Sequence, residues 1–313
     1  MAKPVAAELT LPWREQTQRV AHGIRCRVLE LTIQHDGGYL GQACSSAEIL
    51  AALYTRLMRL GASEGPRLPL PYPGPPGARN PASFNGRIYN GPIAPDLDRF
   101  ILSPSHYALA LYATLVETGR LAPEALDLFN QDGSSLEMIG AEHSPGIEIA
   151  GGSFGQALAQ AAGIAAARKL RRESGSVYVL MSDGEFQEGQ TWETLLVTAH
   201  HQVDNLRVFV DVNGQQVDGR MDRVMNLEPF QAKLEAFGMR VVRVDGHDLA
   251  ALAEAPDHHR PGQPLIVLAY TQAFRGIEIL RERGGNLHYI RFRDETERQR
   301  YRAELRAMRA RGI

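Results

Sequence analysis

The sequence predicts an α/β protein with three αβα layers, in which helices cover both faces of a mostly parallel central sheet. Short apolar runs typical of buried strands alternate with segments whose apolar residues recur at helical spacing. Two of these runs end on Asp-Gly and Asn-Gly, as strands do where a parallel sheet binds a ligand. The chain has 313 residues, 44% hydrophobic and 22% charged, which suits one large soluble globular domain over residues 1–313.

The N-terminal part of the chain is predicted to contain two helices separated by a glycine-rich loop. Residues 1–15 are expected to form an extended arm, and helical spacing of apolar residues predicts a helix over 15–32. After a loop over 35–45, the residues Ser45–Glu48 are predicted to be a capping box that begins the next helix. The Pro- and Gly-rich stretch 62–97 is predicted to be a long surface loop, folded either over an active-site entrance or against a partner.

From residue 98 onward the pattern predicts strands and helices in alternation. The run 98–103 indicates a short strand, and Pro123 is expected near the start of a helix. The segment 156–172, rich in Ala and Gly, is predicted to be a helix that packs closely on its neighbours. The other predicted strands are 177–181, 206–212, 239–244 and 264–269, and the other predicted helices are 106–118, 191–201, 228–237, 249–255 and 293–313.

Composition and charge exclude several classes of protein. The formal net charge is −2, and no basic block is large enough to indicate nucleic-acid binding. No apolar run approaches the roughly 20 residues of a membrane-spanning helix, and the N-terminus lacks the apolar core of a signal peptide. The two cysteines, Cys26 and Cys44, have no spacing typical of zinc or of a disulfide framework. We therefore expect a cytoplasmic protein that interacts with neither membranes nor nucleic acids.

Polar residues at two predicted strand ends indicate a metal site. Asp183-Gly184 and Asn213-Gly214 each follow a strand of one predicted βαβ unit, so one ion could reach both side chains. A carboxylate and an amide oxygen suit Mg²⁺ or Ca²⁺, and the backbone carbonyl of Gln215 could add a third oxygen. Because this set leaves the octahedron incomplete, a diphosphate would complete it. The alternative interpretation is two ordinary βα turns.

The wider sequence resembles one family. Asp183-Gly184 with Asn213, 30 positions later, resembles the motif that binds thiamine diphosphate and Mg²⁺. The strings DGEFQEGQTWE and DNLRVFVDVNGQQVDG resemble the N-terminal half of transketolase, except that Ser182 stands where the family usually has Gly. Further stretches resemble the family in the same order over roughly 17–290: DRFILSPSH from Asp98, PGIE from Pro145, GSFGQ from Gly152 and VDGHD from Val244.

The resemblance implies both a reaction and a partner. In this family such a domain, called PP, holds the diphosphate and Mg²⁺, for which Ca²⁺ or Mn²⁺ can substitute. A separate Pyr domain holds the aminopyrimidine and the glutamate that activates it. The chain ends at Ile313, where a Pyr domain would begin, so it resembles the N-terminal subunit of a split transketolase. We expect a partner chain with the Pyr and C-terminal domains, an α2β2 heterotetramer, and ketol transfer from a ketose to an aldose, either sugars or sugar phosphates.

The resemblance also implies roles for individual residues. The expected metal ligands remain Asp183, Asn213 and Gln215. Cofactor contacts are expected from His106, Gly152, Phe154, Asp183, Gly184, Glu185, Asn213 and His288. Catalytic roles near the substrate are expected for Tyr39, His106, His143, Glu188 and His288. In the family, the acid matching Glu188 relays protons across a subunit interface. The loop histidine His143 is either the substrate histidine or an ordinary loop residue, because its offset from Pro145 differs from the family pattern.

Tyr39 departs from the family pattern, since it stands where a substrate-facing histidine is usual. Tyrosine can donate a hydrogen bond but does not titrate near neutral pH. We therefore expect a changed substrate preference. Two alternatives to an ordinary transketolase subunit stay open: a thiamine diphosphate-dependent subunit that makes an acyloin or transfers a two-carbon unit in a specialised pathway, and a non-catalytic scaffold subunit.

Overall fold

The structure, a computed structural model, describes residues 12–75, 77–285 and 287–312. The helices are α1 (Trp13–Gln34), α2 (Leu40–Ala52), α3 (Ala108–Glu117), α4 (Gln156–Leu170), α5 (Gly189–His200), α6 (Met221–Val224), α7 (Phe230–Ala236), α8 (Leu249–Glu254) and α9 (Glu295–Arg311). The strands are β1 (Gly37–Gly38), β2 (Arg99–Leu102), β3 (Val177–Ser182), β4 (Leu206–Val212), β5 (Gln215–Gln216), β6 (Gly219–Arg220), β7 (Arg240–Asp245), β8 (Leu265–Tyr270) and β9 (Ile290–Arg291).

The central sheet has five strands in the order β2-β3-β4-β8-β7, and every neighbouring pair is parallel. All residues of β3 are buried, as expected for a strand with both faces covered. Ser182 pairs with Asp211, so Asp183 and Asn213 leave the sheet at the same edge. The parallel sheet predicted from the apolar runs is confirmed, and so is the convergence of these two residues.

Two separate hydrophobic clusters lie between the central sheet and the helices that cover its faces. Alternate residues of β3 divide between them: Tyr178 and Leu180 pack with α1, α2 and α3, whereas Val179 and Met181 pack with α4 and α5. Side chains on alternate positions of a strand point to opposite faces, so helices lie on both faces of the sheet. This arrangement is the predicted three-layer αβα architecture.

The start of α2 corrects the sequence prediction. The helix begins at Leu40, and the expected loop over 35–45 is correspondingly shorter. Ser45 and Ser46 lie inside the helix: Ser46 Oγ donates to the carbonyl of Gln42 at 2.6 Å, and Ser45 Oγ reaches Asp211. The predicted capping box is therefore wrong. The serines bond within the helix and across the core, and every residue from Leu40 to Ala52 is buried.

The chain termini and one short element also differ from the predictions. Helix α1 begins at Trp13, inside the expected arm over 1–15, whose first eleven residues lie outside the described part of the chain. The predicted helix after Pro123 is a 3₁₀ helix, Pro123–Leu128. Helix α9 begins at Glu295, after Asp294 caps it by accepting a hydrogen bond from the Glu297 backbone N–H at 2.7 Å. Ile313, the predicted end of this helix, is outside the described residues.

The Pro- and Gly-rich stretch 62–97 contains one short 3₁₀ helix, Gly86–Asn90. It packs against the segment that follows α3: Tyr72 N donates to Gly133 O at 2.8 Å, and Gly86 N donates to Glu142 O at 2.8 Å. A Cβ atom at Gly86 would lie 1.8 Å from the carbonyl oxygen of Ser144, so this close approach requires glycine. Among the described residues, no helix combines the length and apolar composition that crossing a membrane requires.

Candidate active site

A cavity of about 410 Å³ lies at the carboxyl edge of the sheet. In such sheets ligands bind outside the carboxyl ends of the strands. Residues from seven parts of the chain meet there, from the start of α2 to the segment before β9. The predicted site residues that line it are Tyr39, His106, Gly152, Phe154, Gly184, Glu188, Asn213, Gln215 and His288.

The carboxylate of Asp183 is only 2% exposed and is not among the residues that line this cavity. It lines a neighbouring cavity of about 270 Å³, to which Asn213 also contributes. Oδ1 accepts the Gly184 backbone N–H and Oδ2 accepts the Gly214 backbone N–H, each at 2.9 Å. Burial raises the pKa of Asp183 to about 8, and the nearby Asp211 carboxylate acts in the same direction. Asp183 therefore holds a proton near neutral pH in this arrangement, and a bound cation would displace it.

The amide of Asn213 is held on both sides. Its Nδ2 lies 3.0 Å from Asp211 Oδ2 and 3.1 Å from the hydroxyl of Tyr107. Its Oδ1 accepts the backbone N–H of Gln215 at 2.9 Å, which closes a turn through Gly214 at φ +67°. A carbonyl oxygen has a second lone pair, so Oδ1 can still bind a cation.

The donor set fits a hard cation that also binds a ligand. The described residues contain no group of three or more His, Cys, Asp or Glu side chains able to hold a metal ion. A cation bound by one oxygen of Asp183 and one of Asn213 would therefore need further oxygen ligands from outside these two side chains. Gln215 Oε1 and Gln42 Oε1 belong to residues that line the cavity, and each is a buried acceptor without a hydrogen-bond partner. Such acceptors suit a ligand that brings a cation or hydrogen-bond donors.

Aromatic and imidazole rings form one wall of the cavity. The ring centroid of Tyr39 lies 5.0 Å from that of His106 and 5.5 Å from that of His288, and the two histidine rings are 5.0 Å apart. Burial, with a smaller effect of His288, lowers the pKa of His106 to about 3. Burial also lowers the pKa of His288, whose Nδ1 lies 2.9 Å from Gln42 Nε2, and raises that of Tyr39. At neutral pH this wall is uncharged, and each of the three rings carries a hydrogen-bond donor.

The glycine loop before α4 lines the cavity next to the ring wall. Gly152 has φ +99°, a conformation that favours glycine, and a Cβ added there would meet no atom within 4 Å. Phe154, 38% exposed, lies with its ring centroid 5.7 Å from that of His106. The loop thus presents backbone and one apolar ring to the cavity.

Glu185 is not among the residues that line the cavity. It is fully buried beneath the turn, where it accepts the Ser182 backbone N–H at 2.9 Å and a hydrogen bond from Ser103. Ser182 Oγ also donates to this carboxylate at 3.3 Å. The Ser182 side chain accepts the Glu185 backbone N–H, so the residue that departs from the family pattern completes a capping box. Burial raises the pKa of Glu185 to about 7. Its position braces the turn that carries Asp183 and gives no direct contact with a ligand in the cavity.

The two other predicted catalytic residues occupy different positions. Glu188 is exposed at the rim of the cavity and precedes α5. His143 lies away from the cavity: its ring centroid is 4.5 Å from that of Tyr72, and Nε2 is 3.3 Å from Glu137 Oε2. The arrangement therefore gives no support to a catalytic role for His143. The stretch 62–97, which supplies Tyr72, contributes no described residue to the cavity lining.

Several residues of the site were not expected from the sequence. Tyr107 and Gln42 line the cavity, and Asp211, fully buried in β4, contacts Asn213. Burial raises the pKa of Asp211, and hydrogen bonds from Ser45, Thr271, Tyr107 and Asn213 oppose that rise. The one available signal was a carboxylate inside an apolar strand, since buried acids are rare unless they are paired.

A larger groove of about 830 Å³ lies at the carboxyl ends of β7 and β8. Its buried titratable groups already pair with one another. His247 Nδ1 lies 2.9 Å from Glu48 Oε2, its Nε2 accepts the Gln272 backbone N–H at 2.9 Å, and Glu48 also binds Arg25. Because these groups satisfy one another, we assign the chemistry to the smaller cavity.

Comparison with known proteins gives a consistent picture. The family model described as transketolase, thiamine diphosphate binding domain, matches residues 89–272, more than half of the chain. A transketolase family protein of Sinorhizobium fredii is 36% identical, with 87% of this chain and 88% of that protein covered. A 6-deoxy-6-sulfo-D-fructose transketolase subunit of a Clostridium species is 32% identical, over 83% and 86% of the two chains.

Longer relatives align with this chain over only part of their length. Human transketolase is 32% identical over 82% of this chain, which corresponds to 37% of the human protein. The crystal structure of transketolase from Campylobacter jejuni superposes with a TM-score of 0.68 at 21% identity, over 96% of this chain and 47% of that one. The chain thus spans less than half the length of these proteins, and the structural match supports the αβα fold.

Proposed function

Because this chain belongs to the transketolase family and carries its thiamine diphosphate binding domain, we propose that it is the N-terminal subunit of a heteromeric transketolase. In this proposal residues 1–313 form one PP domain that binds the diphosphate of thiamine diphosphate together with Mg²⁺. The observation that carries the proposal is the convergence of Asp183 and Asn213 at one sheet edge, where Asn213 also lines the cavity walled by His106 and His288.

Metal binding would use the hard oxygens at the carboxyl edge of the sheet, next to the cavity. Asp183 and Asn213 each supply one side-chain oxygen, and the backbone carbonyl of Gln215 supplies a third, which leaves positions for diphosphate oxygens. Mg²⁺ suits this set, and Ca²⁺ or Mn²⁺ can replace it because both accept oxygen ligands. Gly152 and Gly184 leave room for the diphosphate, whereas Phe154 offers an apolar contact. Glu185 acts indirectly in this proposal, by holding the turn that carries Asp183.

The ring wall would handle hydrogen bonds and protons. Bound thiamine diphosphate supplies a carbanion centre that can break and form a carbon–carbon bond. His106 and His288 are neutral at pH 7 because burial lowers the pKa of both, so each can donate one hydrogen bond and accept another. Tyr39 donates a hydrogen bond but takes up no proton in this pH range, because burial raises its pKa further. This chain would orient the diphosphate and a substrate hydroxyl.

The open cavity supports the need for a partner chain. Exposed apolar side chains stand at its rim, with Val217 at 62%, Ile139 at 45% and Phe154 at 38% exposure, and Glu188 is exposed beside them. Covering them would exclude water from the reaction and bury apolar surface. We propose that the cover is a second subunit with Pyr and C-terminal domains, in an α2β2 assembly that is active only when complete. Relatives of similar length are named as transketolase subunits, which agrees with this proposal.

A second candidate keeps the cofactor and changes the substrate. One relative is named for 6-deoxy-6-sulfo-D-fructose, and another, from Actinobacillus succinogenes, for apulose 4-phosphate. Tyr39 in the ring wall favours a substrate other than the usual pentose and hexose phosphates, since it changes the group that faces the cavity. The proposed activity is then two-carbon transfer or acyloin formation in a specialised pathway. A scaffold role is less well supported, because a scaffold needs neither the Asp183–Asn213 pair nor a neutral histidine wall.

Reconstitution tests the proposal directly. The chain is purified with a second chain that carries the Pyr and C-terminal domains, and the complex is screened with ketose donors and aldose acceptors. Turnover should require thiamine diphosphate, a divalent cation and both chains. Asp183→Ala should abolish cofactor binding, measured by calorimetry, and turnover, whereas Asp257→Ala at an exposed site should leave both unchanged. Cofactor binding and turnover that survive Asp183→Ala would show that the metal assignment is wrong.

A further inference from the structure

We infer that Asp211 is a positioning residue that fixes the side-chain amide of Asn213 with its oxygen toward the metal. The inference rests on the proposed function, because it concerns the metal site described above. It assigns a role to a carboxylate that binds no ligand itself. The observation behind it is a closed network of hydrogen bonds around the fully buried Asp211 side chain.

Four hydrogen-bond donors from different parts of the chain converge on this carboxylate. Oδ2 accepts from Ser45 Oγ at 2.6 Å, from the Tyr107 hydroxyl at 2.7 Å and from Asn213 Nδ2 at 3.0 Å. Oδ1 accepts from Thr271 Oγ1. These partners come from α2, from the turn after β2, and from the ends of β4 and β8. The carboxylate is therefore fixed relative to four elements that surround the site.

The network leaves Asn213 only one orientation of its amide. An ionised carboxylate accepts hydrogen bonds and donates none, so it selects the NH₂ group of the amide over the carbonyl. Tyr107 directs its hydrogen to Asp211, so its oxygen is an acceptor for Asn213 Nδ2 at 3.1 Å. Ser45 Oγ also directs its hydrogen to Asp211, so its oxygen is a second acceptor for Asn213 Nδ2, at 3.4 Å. A flipped amide would place its oxygen against three oxygens, one of them charged.

The selected orientation is the one that metal binding needs. With Nδ2 held by Asp211, Oδ1 faces the opposite side, where it accepts the Gln215 N–H within the turn over residues 213–215. Partners that orient a metal ligand typically change metal affinity by about 10–100-fold when they are removed. Asp211 should therefore affect cation affinity without touching the cation.

Replacing Asn213 by Asp should change Mn²⁺ affinity in opposite directions, depending on whether Asp211 positions this residue. A carboxylate is ordinarily the better ligand for a divalent cation, so Asn213→Asp should tighten Mn²⁺ binding if Asn213 acts alone. If Asp211 positions it, the new carboxylate oxygen would face Asp211 Oδ2 across the present 3.0 Å contact. Like charges at that distance repel strongly in a buried site. We expect Asn213→Asp to weaken Mn²⁺ binding about tenfold or more.

Variants at Asp211 complete the experiment. Asp211→Asn can still place an oxygen toward Asn213 and its amino group toward Thr271, so Mn²⁺ affinity should stay within about threefold of wild type. Asp211→Leu removes the acceptor and should weaken binding by about 10–100-fold. Thr271→Val removes a hydrogen bond to Asp211 without touching Asn213, and serves as the matched control for a purely structural loss.

Binding is measured on the full chain by electron paramagnetic resonance of free Mn²⁺, with thiamine diphosphate present, so no turnover is needed. Tighter or unchanged binding by Asn213→Asp overturns the inference, and this variant keeps the test valid if Asp211→Leu fails to fold. Asn213→Ala distinguishes failure of the proposed metal site from failure of the positioning role. If Asn213→Ala binds Mn²⁺ like wild type, or if the wild-type chain binds none, the proposed metal site is wrong. If only Asn213→Ala weakens binding, the site stands and the positioning role is wrong.

Discussion

Replacement of His106 by Phe should remove a defined part of the acid sensitivity of this protein. His106 is 7% exposed, and its ring is surrounded by those of Tyr39, Tyr107, Phe154 and His288, with centroids 4.9–5.7 Å away. Phe keeps an aromatic ring in that space and cannot titrate. At pH 7 we therefore expect a change in unfolding free energy of no more than about 1 kcal/mol, as for other volume-conserving substitutions.

The magnitude follows from the pKa of His106, which burial lowers from 6.5 to about 3. The folded pKa lies below the unfolded one, so the unfolded chain binds the proton first and stability falls as the pH drops below 6.5. At pH 5 the folded side chain is still neutral, whereas the unfolded one is almost fully protonated. From pH 7 to pH 5, His106 thus lowers the unfolding free energy of wild type by about 2 kcal/mol, a loss that the variant does not have.

Urea unfolding at pH 7 and pH 5 measures this difference. Acid effects from all other groups occur in both proteins and cancel when the variant is compared with wild type. His258→Gln, at an exposed site, is the control and should lose stability as steeply as wild type does. If His106→Phe loses as much unfolding free energy as wild type between the two pH values, within about 0.5 kcal/mol, the burial argument for His106 is refuted.

Three further substitutions test other parts of the structure. Asp183→Asn should abolish cation binding in the same Mn²⁺ assay. Because burial raises the folded pKa of Asp183 to about 8, metal-free wild type loses unfolding free energy as the pH rises from 5 to 8. The variant does not, so its unfolding free energy should rise relative to wild type by up to about 4 kcal/mol over that range. Urea unfolding with a chelator checks the second effect, and a constant difference would contradict it. Tyr39→His should change the ratio of kcat/KM values between aldose acceptors in the reconstituted complex about tenfold, and an unchanged ratio would remove Tyr39 as a specificity residue. Glu148→Gln should cost about 3–5 kcal/mol in urea unfolding, because it leaves Arg99, whose side chain is only 14% exposed, without its charge partner. Glu282→Gln, in an exposed pair with Arg300, is the control and should leave the unfolding free energy unchanged within measurement error.

The strands were predictable from sequence because burial on both faces leaves a simple signal. The prediction for β4 matches the observed Leu206–Val212, and that for β3 ends one residue before Ser182. Apolar runs of this length between polar turns have few alternatives in an α/β chain. The strand ends then indicated Asp183 and Asn213, since side chains that follow parallel strands meet at one edge.

The start of α2 was not predictable for a physical reason. Ser45, Ser46 and Glu48 satisfy the local rule for a helix start, but their bonding partners lie elsewhere. Ser45 binds Asp211, 166 residues away, and Glu48 binds both Arg25 and His247. Burial of α2 against α1 and the sheet extends the helix back to Leu40, so tertiary contacts override the local signal.

Local sequence patterns predict only some residues of the candidate site. Tyr39 and His288 came from family resemblance, and neither has a local pattern that places it in a cavity. The contacts that define the site's interior join distant residues: Tyr107 to Asp211 across 104 positions, and Gln42 to His288 across 246. Spacing rules describe neighbours on one element, so they carry no information about such pairs.

The short ribbon of β1 and β9 has a consequence for biosynthesis. Two residue pairs, Gly37 with Arg291 and Gly38 with Ile290, hold the segment that carries His288 against Tyr39. A ribosome releases the β1 segment about 250 residues before its partner. The sheet can form while the chain is still growing, but the ring wall cannot. A nascent or prematurely terminated chain would therefore present the proposed metal ligands without the imidazole of His288, and capture of the proposed cofactor would wait for nearly the whole polypeptide.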